Sequence, residues 1–183
     1  MVVVIGVAAL TAGWYVWKYF GAGPTSEEFR LYDAFLTRLA SEGYLGQHSF
    51  VLEGETLQLS DPEYDSWVPT ELRHDKTWPN ANFVSFCGRL CAHDFVRKNL
   101  AASQLKPSPK VRTAFRILGG SESIGSGQCA IWVTRAGFDL RQRRAVLSYH
   151  ERCDGYGGMI LGDVYLLREN GMWKVDDLQS FIF

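Results

Sequence analysis

From Val2 to Phe20 the chain reads VVVIGVAALTAGWYVWKYF, nineteen residues whose single charge is Lys18. A helix of that length rises about 28 Å, close to the roughly 30 Å hydrocarbon core of a bilayer. Trp14, Tyr15, Trp17 and Tyr19 crowd its C-terminal end. Amphipathic rings settle there at headgroup level, and Lys18 can extend its ammonium to the same interface. The run predicts an N-terminal transmembrane helix, a single-pass anchor that holds the chain in a lipid bilayer through residues 2–20. Two other readings compete with it. A cleaved signal peptide would want a basic n-region, and the Thr11-Ala12-Gly13 stretch that imitates a cleavage site is followed by bulky rings. A buried core helix of such length and uniformity is rarer.

The anchor leaves enough of the 183 residues for one domain of about 100–160 residues with a core of its own. The expected organisation is an anchor over 1–20, a linker over 21–24 and a single soluble domain over 25–183. Nineteen basic against twenty acidic residues give a formal charge of -1. No global field then favours nucleic acid, and no nucleic-acid partner is expected. Lys18 and Arg30 follow the anchor and no basic side chain precedes it, so the positive-inside rule puts the domain in the cytoplasm.

Beyond Gly21-Ala22-Gly23-Pro24, Thr25-Ser26-Glu27-Glu28 supplies capping hydroxyls and carboxylates at the positive end of a helix. Phe29, Tyr32, Phe35, Leu36 and Leu39 then recur at helical steps, with Gly43 as a stop. Ser49 to Leu59 alternates like one or two short strands around Gly54. Ser60 to Pro79 is an irregular connection, long enough to be functional. Its Trp67 and Trp78 are candidate contacts for a ligand or a protein partner. Asn80 to Ala102 returns to helical spacing, with Phe83, Phe86, Cys87, Leu90, Cys91 and Phe95 on one face. Strands are expected over Val111–Leu118, Cys129–Thr134, Arg144–Cys153, Ile160–Arg168 and Met172–Leu178. Asn170-Gly171 joins the last two as a hairpin turn, because a type I′ turn needs positive φ at both centres. The expected fold is α+β, two amphipathic helices packed on a mostly antiparallel C-terminal sheet.

The residues Arg135-Ala136-Gly137-Phe138-Asp139, Arg144 to Tyr149, Cys153, Gly158, Gly162 to Leu167 and Asn170-Gly171-Met172-Trp173-Lys174-Val175 carry a resemblance. They resemble the C-terminal part of a group of uncharacterised, exported or membrane-anchored bacterial proteins. That group shows a Gly-Phe pair, a strand, a cysteine- and glycine-rich turn, another strand and Asn-Gly-x-Trp-x-Val; Asp94 to Asn99 fits the preceding helix end. The match covers about eighty residues in motifs of a structural kind. It implies a domain outside the cytoplasm, against the charge rule, and implies no activity. The soluble domain is expected on the extracytoplasmic side.

Few residues suggest chemistry. Cys87 and Cys91 stand four apart with Asp94 on the same helix face, a spacing open to a metal, yet their apolar neighbours favour core packing. No metal and no cofactor are expected. Cys129 and Cys153 lie where an antiparallel pairing would set them opposite each other, and an oxidising compartment would allow a disulfide. Tyr149-His150-Glu151-Arg152-Cys153-Asp154 is the sharpest polar constellation. Strand alternation puts His150 and Arg152 on one face and Glu151 and Cys153 on the other. A bend would let His150 act with Glu151 or Asp154 as an acid/base set, with Arg152, Asp163 and Tyr165 as ligand contacts. A solvated face of cross-strand ion pairs is the simpler alternative. Arg135, Arg141, Arg143 and Arg144 form a basic corner that reads as a charged turn. The leading expectation is a membrane-tethered domain that binds and does not catalyse. Its rivals are a membrane-anchored hydrolase or transferase using His150, and a thiol redox protein.

Overall fold

A computed structural model describes residues 23–41, 49–59, 81–119, 122–154 and 159–182. The expected anchor over residues 2–20 lies outside the described residues, as do Trp67 and Trp78. Among the described residues, no helix is long and apolar enough to cross a membrane.

The C-terminal hairpin follows from its turn. Asn170 and Gly171 take φ of 51° and 82°, the left-handed pair that a type I′ turn demands, and join β6 (Met159–Glu169) to β7 (Met172–Ile182). On the other side β6 pairs antiparallel with β5 (Arg144–Cys153), and β5 with β3 (Gln128–Val133). The two-residue β4 (Gly137–Phe138) pairs with the start of β5. The remaining strands, β1 (Ser49–Glu53) and β2 (Arg116–Leu118), add in parallel, β1 lying between β2 and β3. One seven-stranded, mostly antiparallel sheet results, in the order β2-β1-β3-β5-β6-β7 with β4 off the path. A parallel pair needs a long crossover, and among its described residues the β1–β2 crossover holds three short helices.

Helices cover both faces. The first, α1 (Ser26–Ser41), opens on a capping box: Thr25 Oγ1 accepts from the Glu28 N–H at 3.3 Å, and the Thr25 N–H donates to Glu28 Oε2 at 2.8 Å. Its stripe of Leu31, Tyr32, Phe35, Leu36 and Leu39 packs on Phe50, Leu52, Ile131, Leu147, Tyr149 and Val164. The opposite face carries α2 (Ala81–Cys87) and α3 (Arg89–Lys98), whose Phe83, Cys91 and Phe95 pack on Val146, Leu161 and Tyr165. Clad on both sides, β5 is buried from Ala145 through Glu151.

Three expectations need correction. The second helix is two, because Gly88 at φ 87° breaks it. Residues 109–114 form a helix, α4 (Pro109–Ala114), where a strand was expected. Ser108 Oγ caps the Val111 N–H at 3.4 Å and Pro109 sits at the first helical position, where its missing N–H costs nothing. Val111 and Phe115, four apart, then reach the same core. Lastly, Cys87 and Cys91 are not free core thiols but form a disulfide across the Gly88 break.

Candidate functional site

The polar constellation of β5 is divided by the pleat. Ser148, His150 and Arg152 lie on the α2–α3 face with Asp163 of β6, because the register sets Ser148 opposite Asp163 and His150 between Trp132 and Leu161. Ser148 Oγ donates to Asp163 Oδ1 at 2.7 Å, and both residues are buried. Thr134 Oγ1 accepts from the Ser148 N–H at 2.8 Å and donates to its carbonyl at 3.1 Å. The His150 ring is stacked on Trp132 with centroids 5.0 Å apart, and only 1% of the residue is exposed. Burial, and then the Arg152 charge, lowers the His150 imidazole to about 4, so it is neutral at pH 7. Nothing in the sequence singled out Ser148 or Thr134. The available signal was parity, since Ser148 stands two residues before His150.

The other candidates go elsewhere. Glu151 occupies the α1 face between Ile131 and Ile160, where burial raises its carboxyl. Asp154 is exposed at the strand end, its N–H bound to the Gln128 carbonyl at 2.9 Å. The structure thus brings His150 toward Asp163 and Arg152 and separates it from Glu151 and Asp154. Tyr165 stacks edge-on against Phe83 and Phe86, at 5.7 and 5.2 Å, and its hydroxyl is raised by burial and then by Asp163 and Asp177. Arg135 leaves the expected basic corner altogether, since it is buried against Glu28 with Nη2 3.0 Å from Oε2.

Cys129 and Cys153, directly opposite in the β3–β5 register, form the second disulfide. All four cysteines are therefore bonded. Their sulfurs lie near Glu151, a grouping with metal-like spacing, but joined sulfurs offer no thiolate ligand.

Open surface with room for a ligand lies at the sheet's β7 edge. A groove of about 690 Å³ runs between α1 and β7. Arg30, Asp33, Ala34, Thr37 and Arg38 line its helical wall; Gly171 to Val175 line the strand side, and Lys110 stands at one end. Trp173 is fixed there by its indole N–H to Glu27 Oε2 at 3.2 Å and by Phe138 at 5.6 Å. A smaller cleft of about 480 Å³ lies beside α3, where Asp94 holds Lys98 at 2.8 Å and the Phe138 N–H at 3.3 Å. Exposed Leu90 and Leu140 flank it.

No protein family matches this chain, and neither a curated protein nor a solved structure gives a significant match.

Proposed function

We propose that this chain is a membrane-tethered binding domain that works outside the cytoplasm and catalyses no reaction. Its location rests on the cysteines. Two disulfides that use every cysteine are stable in an oxidising compartment and rare in a reducing one. The resemblance of residues 135–175 to exported or anchored bacterial proteins points the same way, and residues 2–20 have the length and aromatic belt of an anchor.

The observation that carries the binding role is the separation of polar chemistry from open surface. His150, Ser148 and Asp163 are buried, while the groove between α1 and β7 is open and lined by cations and apolar groups. General acid–base work needs a titrating group within reach of a substrate, and His150, neutral and under Trp132, lacks that access among the described residues.

Reporters active on one side of a membrane, fused after Phe183, test the location. Activity of the extracytoplasmic reporter alone is expected, and activity of the cytoplasmic one alone would overturn it. Deleting residues 1–20 should release a folded, soluble domain. A hydrolytic or transfer activity abolished by His150→Gln in a folded variant would replace the binding role with the enzymatic one.

A further inference from the structure

Among the described residues β7 is an edge strand, paired with β6 alone. Its two-residue turn closes on Glu169 and Met172, so ladder alternation turns the N–H and C=O of Trp173 and Val175 outward, toward the groove. The Val175 carbonyl shows that direction, since it accepts from Arg38 Nη1 at 2.8 Å. Beyond Val175 the ladder slips, with Leu166 opposite Val175 and Tyr165 opposite Asp177, so that Asp176 bulges. A bulge bearing two adjacent carboxylates guards that half of the edge. The half facing α1 is guarded by Arg38 instead.

An edge strand facing a helix across a groove is the geometry in which an extended segment adds as a further strand and presents alternate side chains to the helix. Charge fixes what kind of segment fits. Arg30, Arg38, Lys110 and Lys174 surround one carboxylate, Asp33. Arg30 and Lys174 are partly answered by Glu27 and Glu169, while Lys110 has no ion pair among the described residues. The floor between the charges is apolar, formed by Ala34, Trp173 and Val175. We propose that this groove binds an extended acidic peptide segment of a partner protein, added to β7 at Trp173 and Val175; the inference rests on the binding role proposed above. A peptide N–H takes the Val175 carbonyl, and the guanidinium of Arg38, displaced from it, pairs with a peptide carboxylate. Charge-assisted pairing then offsets the lost contact. Self-pairing of two β7 edges is disfavoured, because it would set Lys174 of one copy against the cations of the other.

The test uses the full chain in detergent and a fluorescent octapeptide of alternating Glu and Val. Saturable binding is expected, and a Lys-Val octapeptide should bind at least about tenfold more weakly. N-methylation of alternate residues removes the N–H groups along one edge of the peptide. In one register it should abolish binding and in the other leave it intact, without altering the protein. Arg38→Gln combined with Lys110→Gln should weaken binding about tenfold while the thermal melt keeps its cooperative shape. No binding at millimolar peptide, equal binding of the Lys-Val peptide, indifference to N-methylation in both registers, or self-association abolished by Val175→Pro would each overturn the proposal. None of these results bears on membrane side or catalysis, so failure of the groove is distinguishable from failure of the binding role.

Discussion

Glu28 and Arg135, far apart in sequence, meet in the interior in a two-point ion pair, with Nε 3.2 Å from Oε1 and Nη2 3.0 Å from Oε2. Glu28 is fully buried and Arg135 nearly so. The pair is tied further to α3, since Asn99 Oδ1 accepts the Arg135 N–H at 2.6 Å and Asn99 Nδ2 donates to the Arg135 carbonyl at 2.9 Å. The start of α1, the end of α3 and the β3–β4 connection are therefore joined at one point.

Removing one partner leaves an uncompensated buried charge. Arg135→Met should cost about 3–5 kcal/mol in denaturant unfolding. Glu28→Leu with Arg135→Met should recover much of that loss, less about 1 kcal/mol for the capping box. A double variant no more stable than Arg135→Met would refute the account.

The disulfides should differ in weight. Replacing Cys129 and Cys153 by Ala should cost about 3 kcal/mol and Cys87 with Cys91 about 2 kcal/mol, because the first pair closes the longer loop. Thermal melts of both variants measure this, and titration of the unfolded, unreduced chain should find no reactive thiol.

His150 gives the domain an acid-sensitive stability. Its folded value near 4 lies below the ordinary 6.5, so between those pH values the unfolded chain holds the extra proton. Stability from the neutral ring is complete above about pH 6.5 and falls as pH drops toward 4, by up to about 3 kcal/mol. Glu151, raised by burial, opposes this by favouring the folded state in acid. The difference between wild type and His150→Phe, which keeps a ring on Trp132, isolates the histidine. Parallel stability-versus-pH curves for the two would contradict the assignment.

Gly137 marks where β4 presses on α3. A methyl there would stand 2.5 Å from the Cys91 carbonyl oxygen and 2.7 Å from Phe95 Cβ. Gly137→Ala should destabilise by about 1–3 kcal/mol, since backbone on both sides must move. An unchanged unfolding midpoint would show that the two elements have slack.

What the sequence disclosed was local in origin. The Asn170-Gly171 turn, the Thr25–Glu28 box and the stripe on α1 are each set by neighbours within a few residues, and each appears in the fold. Strand β5 was bounded by its own pattern at Arg144 and Cys153. The α4 helix is ambiguous in sequence because Val111, Phe115 and Leu118 suit a strand by type and a helix by spacing, and the Ser108-Pro109 cap decides. Distant pairings were hidden: Arg135 resembled one more turn cation until Glu28 was placed beside it, and the Ser148–Asp163 bond depends on strand register. The groove was invisible because its walls come from α1 and β7, near opposite ends of the chain.

The parallel pairing of β1 bears on the order in which the domain can be made. Ser49 aligns with Gln128 and Val51 with Arg116, so β1 emerges from the ribosome long before either neighbour exists. Contacts so distant along the chain carry the larger loop-closure cost and form late, whereas β5 pairs with β6 and β6 with β7, each with its immediate successor. The C-terminal meander is therefore expected to order before β1 docks. Until the last third has appeared, β1 presents Phe50, Val51 and Leu52, all buried in the finished fold, as unpaired apolar strand open to other chains.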